Sequence, residues 1–194
     1  MELVDALRNA RFGEVDHIVI DAPPEAGTLR LSDSGTVAVS IEGRSAVHVT
    51  GHARAQVRDR AAVFASQFAE VHAYDDARVI AVDFATIHAT DCAYVEGHDE
   101  TTVVLRGHSG GYVRDRVRVE AHGQASIEAH GRATIAGHDH AQLAAYDRST
   151  ITATPPGGSV IVYGRQVRHL DPTGQLIPLP GVADPEVLPD EIRL

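Results

Sequence analysis

Four of the twelve histidines in this 194-residue chain fall into two pairs with one spacing. His72 and His88 are sixteen residues apart, and so are His122 and His138. Imidazole nitrogens held side by side are common ligands of zinc. A site needs three or four ligands, however, and no acid or cysteine stands at the matching spacing to complete either pair. Outward histidines on a polar surface are usually solvated, so a metal is a minor expectation. Arg116, Arg132 and Arg148 recur at the same sixteen. A ladder of like charges is unfavourable unless acids or an anionic partner neutralise it. Asp115 and Asp147 stand beside it in the chain and are the expected neutralisers.

A third set is apolar: Phe64, Phe68, Ile80, Val82 and Phe84, continued by Tyr94 and Tyr112. Three of the four phenylalanines of the chain are here. An outward cluster of this kind marks an interface, with a second copy or a protein partner as the first expectation and a terminal segment folded over it as the rival. Catalytic chemistry finds no support. The chain has no nucleophile motif, no Gly-rich phosphate loop and no zinc-hydrolase signature, so no catalytic residue and no cofactor is assigned.

Such spacings need a scaffold with a short fixed period, and residues 45–156 supply it. They are fourteen consecutive octapeptides without insertion or deletion. The consensus is Ala-x-Val-x-Ala-x-Asp/Gly-x. Position 3 is Val or Ile in eleven copies, and position 5 is Ala or Val in eleven. Alternation of apolar and polar residues is the pattern of a strand with one buried face. Position 7 is Asp in eight copies and Gly in four, residue types that accept left-handed backbone and make corners. Each octad therefore predicts one strand and one tight corner. A lone strand cannot bury its apolar face, so octads must stack, with rungs about 4.8 Å apart. Two octads per coil predict a sixteen-residue, two-sheet solenoid; three would give a triangular coil of twenty-four. The matches Phe64 with Ile80, Phe68 with Phe84 and His72 with His88 favour sixteen.

Val47, Val63, Val79, Val95 and Ile127 should then form one inward column, with Gly111 as its gap. Val71, Ile87, Val103, Val119 and Ile135 should form the facing one. Leu105, where most octads have Ala, is expected to fill the space that Gly111 leaves.

The expected organisation is an N-terminal cap over residues 1–36, the solenoid over 37–165, and a C-terminal cap with a Pro-rich tail over 166–194. The cap would hold a short helix within residues 2–12 and strands at 17–21 and 28–32. Val37–Arg44 keeps the octad phase as an extra rung, and after Pro155-Pro156-Gly157-Gly158 the phase slips by one before a last rung at 159–163. Five prolines in residues 171–194 predict an extended segment.

Composition narrows the class. The formal charge is −10, and all seventeen basic residues are Arg. Cys92 is the only cysteine, which excludes an internal disulfide and favours a reducing compartment. No secretory h-region and no apolar run of membrane-spanning length occurs, so the expectation is a cytoplasmic protein without membrane contact. An acidic DNA mimic is weakened because the repeat sets fourteen acids against ten arginines and eight of the acids sit at corners. Nucleic acid is a disfavoured partner on the same ground. Ice binding needs regular Thr arrays, and only Thr134, Thr150, Thr152 and Thr154 come near one.

The stretches Ala69-Glu-Val-His-Ala-Tyr-Asp-Asp76 and Ala141-Gln-Leu-Ala-Ala-Tyr-Asp-Arg148 resemble the octapeptide-repeat β-solenoid proteins of actinobacterial type. The resemblance covers somewhat over half of the chain. It implies an all-β, single-stranded β-solenoid and no known active site. A non-enzymatic assembly or interaction module, probed through its outward strip, is the leading functional expectation; DNA mimicry, ice binding, and an enzyme or metal protein using outward histidines are the alternatives.

Overall fold

Every octad of the repeat forms one four-residue strand, and each of the first thirteen closes with one corner. A computed structural model describes residues 17–177, apart from 33, 36, 155, 164, 165 and 172. Its strands are β1 (His17–Ile20), β2 (Thr28–Leu31), β3 (Ala38–Ile41), β4 (Ala46–Val49), β5 (Arg54–Val57), β6 (Ala62–Ala65), β7 (Glu70–Ala73), β8 (Arg78–Ala81), β9 (Thr86–Ala89) and β10 (Tyr94–Gly97). They continue as β11 (Thr102–Leu105), β12 (Gly110–Val113), β13 (Arg118–Ala121), β14 (Ser126–Ala129), β15 (Thr134–Gly137), β16 (Gln142–Ala145), β17 (Thr150–Ala153), β18 (Ser159–Val162) and β19 (Arg168–His169). Odd-numbered strands form one ten-stranded sheet and even-numbered strands a nine-stranded sheet. All the pairings are parallel. This is a β-solenoid with two octads per coil, as the matches at sixteen predict.

The core is thin and lies between the sheets. On the even sheet Val47, Val63, Val79, Val95, Gly111 and Ile127 pair in sequence. On the odd sheet Val71, Ile87, Val103, Val119 and Ile135 do the same. Nearly all are fully buried. The gap at Gly111 is filled as expected: a Cβ there would lie 3.7 Å from Leu105 Cδ1 and 3.1 Å from Ile127 Cδ1.

The corners explain the aspartates. Position 7 has positive φ in every octad from Gly43 to Asp147, from 54° at Asp147 to 66° at Asp115 among the aspartates. The N–H of position 8 reaches the position 7 carbonyl of the preceding coil, as Arg60 N does with Gly43 O at 3.0 Å. The position 7 N–H finds no backbone acceptor. Where the next coil carries Asp at position 7, the N–H donates to its side chain: Gly43 to Asp59 (2.9 Å), Gln67 to Asp83 (3.0 Å) and Gly131 to Asp147 (2.9 Å). Asp therefore tolerates the left-handed backbone and also satisfies the corner beneath it.

The regular offset fails only near the ends. Residues 17–20 and 28–31, expected in a separate cap, pair in register with β3 and β4 and are rungs of the two sheets. Their offsets are wider than sixteen because a 3-10 turn at Pro24–Ala26 and a longer loop intervene. The one-residue slip is present: Gln142 pairs with Ser159. On the odd sheet Ile135 pairs with Ile151 and Ala136 with Ala153, so a bulge accommodates Thr152 as the extra residue of β17. The helix anticipated within residues 2–12 and the Pro-rich tail beyond residue 177 lie outside the described residues. No helix among the described residues is long and apolar enough to cross a membrane.

Candidate functional site

Because coils stack in register, each outward position becomes a straight column. On the even sheet the position 4 column reads Arg30, His48, Phe64, Ile80, Glu96, Tyr112 and Glu128. The corner column that follows this sheet, position 8, reads His52, Phe68, Phe84, Glu100, Arg116, Arg132 and Arg148. The apolar residues are open to solvent: Phe64 is 39% exposed, Phe68 57%, Ile80 43%, Phe84 53% and Tyr94 46%. They touch one another along the stack. Phe68 and Phe84 lie parallel at 5.5 Å, His52 stacks on Phe68 at 5.3 Å, and His48 meets Phe64 edge-on at 4.9 Å. Val82 flanks this strip half-buried, and Tyr112 lies two rungs beyond Ile80, also half-buried. Burial and then the adjacent Arg30 hold the His48 imidazole below its usual pKa. Burial, Glu96 and Glu128 raise the Tyr94 phenol, so it stays protonated near neutrality.

The arginine ladder is neutralised differently from the expectation. Arg116 pairs with Glu100, one coil earlier in its own column, at 3.1 Å. Asp115 and Asp147 are committed to corner N–H groups of Asp99 and Gly131. Asp147 also lies 3.6 Å from His130 Nδ1. Arg148 donates to Gln166, and Arg132 has no ion pair among the described residues. Arg132, Arg148 and Arg168 border one shallow cleft with Gln166 and Leu176, and no acidic side chain lines it among the described residues.

The odd sheet carries the histidine pairs. His72 and His88 pair in register on β7 and β9, with rings 4.7 Å apart and 12° from parallel. His122 and His138, at position 6, stack at 4.4 Å. The spacing of sixteen offers no acid beside either pair; the structure places a carboxylate beside the first. Glu70, two residues before His72, shares its face, and its Oε1 lies 3.2 Å from His72 Nε2. The ligand atoms of Glu70, His72 and His88 all lie within 4.8 Å of one another. The signal in the chain is Glu-x-His with His sixteen residues on, since alternate residues of one strand share a face. Glu120 bears the same relation to His122, yet stands 3.8 Å away, and His122 Nε2 is buried with no hydrogen bond. Burial first, then His72, lowers the His88 pKa, with Arg106 adding to the effect and Glu70 opposing it.

Glu120 and Glu128 stand on opposite sheets and cannot act as a catalytic pair. No family model matches the chain, and comparisons with curated proteins and with solved structures find no match to it.

Proposed function

We propose that this β-solenoid is an assembly module that pairs with a second copy of itself through the even-sheet strip of Phe64, Phe68, Ile80 and Phe84. The observation that carries the reading is the order of residues in the columns. Position 4 runs His48, Phe64, Ile80, Glu96, and position 8 runs His52, Phe68, Phe84, Glu100. Each is apolar at its centre, with a base at one end and an acid at the other. A two-fold axis lying between two facing strips, perpendicular to the stack, sets each column against its own reverse. Phe64 then meets the partner's Ile80, and Phe68 the partner's Phe84. Both histidines meet glutamates, and Arg30 comes over Tyr112, a cation–π arrangement.

Shape follows the same symmetry. The position 2 column runs Thr28, Ala46, Ala62, Arg78, Tyr94, Gly110. Reversed on itself, it sets Ala46 against Tyr94 and Ala62 against Arg78, small against large. Six rungs at about 4.8 Å make this footprint about 24 Å long, below the span of a permanent interface. Each buried aromatic contributes about 1.5–3 kcal/mol of apolar transfer, which must exceed the entropy of association. A reversible dimer of micromolar strength fits both figures. The rival occupant, a terminal segment of the same chain, does not account for columns that are complementary to their own reverse. The likeness of the octads to octapeptide-repeat solenoids fits a scaffold whose function resides on such outward columns.

The test is solution mass of the full chain over a concentration series. The parent should dimerise and Phe68→Glu/Phe84→Glu should not. His48→Glu/His52→Glu and Glu96→Arg/Glu100→Arg should each be monomeric alone, and their equimolar mixture should form a heterodimer. A parent monomeric at its highest soluble concentration, or a mixture that stays monomeric, rejects the reading.

A further inference from the structure

We propose that Glu70, His72 and His88 form a binding site for one divalent transition-metal ion of the zinc class on the outer face of the odd sheet. The site follows from register. Parallel pairing sets His72 directly beside His88 on β7 and β9. The two-residue strand period sets Glu70 on the same face as His72, opposite Thr86. Two imidazoles and a carboxylate thus converge without any loop to order them. The donor set selects among metals: imidazole with carboxylate suits zinc, cobalt or nickel, whereas calcium and magnesium require oxygen-rich shells.

The distances are near those of a coordinated ion. Ligand bonds of about 2.0–2.2 Å at tetrahedral angles put neighbouring donor atoms about 3.3 Å apart. Glu70 Oε1 and His72 Nε2 are already 3.2 Å apart. His88 completes the set by a side-chain rotation, since all three donors lie within 4.8 Å. The carboxylate is also held from behind: Arg54 Nε lies 3.0 Å from Glu70 Oε2, which leaves Oε1 free to ligate. A partner of that kind fixes the orientation of a metal-binding carboxylate. Three protein ligands leave a fourth position facing solvent, where a water or a donor from another molecule completes the shell. The second histidine pair lacks this convergence, because the Glu120 carboxylate is 3.8 Å from a His122 nitrogen that is itself buried. It provides the internal control.

The experiment titrates metal-free full-length protein with Zn2+ by calorimetry and follows Co2+ by its visible absorption. One equivalent should bind, with the intense absorption of a four-coordinate Co2+ centre, and Zn2+ should raise the unfolding temperature. His72→Ala/His88→Ala should abolish that equivalent while leaving the metal-free unfolding temperature unchanged, because both side chains are outward. Glu70→Gln should weaken binding about tenfold or more, and Arg54→Met about tenfold. His122→Ala/His138→Ala should bind as the parent does. Equal binding by the parent and His72→Ala/His88→Ala, or loss of the equivalent only in His122→Ala/His138→Ala, overturns the proposal. So does a parent that binds no equivalent tighter than millimolar.

Discussion

The two outer faces of this solenoid share one backbone and differ in almost everything else. Their inner faces are near copies, columns of Val, Ile and Ala buried to a few per cent. Outside, the even sheet and its corner carry Phe64, Phe68, Ile80, Phe84 and Tyr94, open to solvent. The odd sheet carries Glu70, His72, His88, Thr86 and Thr102 at equivalent heights. The stack is held by what the faces have in common, inward columns and corner bonds. Variation is therefore confined to the outward positions of each octad, where a substitution costs the fold little. A repeat protein can vary its surface this freely because the contacts that hold neighbouring coils are the backbone ladder, the inward residues and the corner bonds.

Substitutions can break this division at its strongest point or refine it at its weakest. The largest effect is expected from an acid in the core. Val103→Asp on the odd sheet and Val79→Asp on the even sheet should each cost several kcal/mol or abolish folding, because no partner is present for a buried charge. Thermal unfolding should show equal losses, and a tolerated variant on either sheet would show that the inner faces are not equivalent.

Next comes a pair of adjacent glycines that point opposite ways. A Cβ on Gly111 would lie 2.8 Å from the Val95 carbonyl oxygen, so Gly111→Ala should cost about 1–3 kcal/mol. On Gly110 it would lie 3.7 Å from Ser126 O and 3.8 Å from Tyr94 Cδ2, ordinary contacts. Gly110→Ala should therefore be neutral or stabilise by up to about 1 kcal/mol through the unfolded chain. Denaturant midpoints of the two variants that move the same way would contradict the inward and outward assignment.

Smaller again is a corner. Asp83→Ala loses the acceptor for the Gln67 N–H and strains a residue at φ 60°, at a cost of about 1–2 kcal/mol. Asp83→Gly relieves the strain and loses only the bond, so it should cost less than the alanine variant. The smallest effect on stability belongs to the strip. Phe64→Ser should change the unfolding free energy of the monomer by less than about 0.5 kcal/mol, while weakening self-association at least tenfold in sedimentation. Thr86→Ser, on the odd face, should change neither.

The architecture was legible because apolar residues at positions 3 and 5 repeat without a gap, and because Phe64 with Ile80 and His72 with His88 fix the coil at sixteen. Leu105 facing Gly111 could be inferred because a thin core must conserve volume. The first two rungs were not legible as solenoid: their offsets depart from sixteen, and period was the only signal in use. The carboxylate beside His72 was not legible for a related reason. A period of sixteen reports neighbours along the stack, whereas Glu70 is a neighbour along the strand. Glu100, which neutralises Arg116, was missed the other way round, since acids were sought beside the arginine in sequence and the salt bridge runs along the column. Corner aspartates were assigned to turn geometry alone; their acceptor role needs the height of the next coil, which a single octad does not contain.

The two-octad coil makes length a matter of parity. Duplication of sixteen residues adds a coil and leaves every later side chain on the sheet where it was. Duplication of eight preserves the alternation, the corner and the burial of every inward residue, yet sends each later octad to the opposite side. His88 would leave His72, and the phenylalanine columns would be split between faces, with no rule of local structure broken. In this chain an insertion is tested for survival by its effect on folding, and for usefulness by whether its number of octads is even.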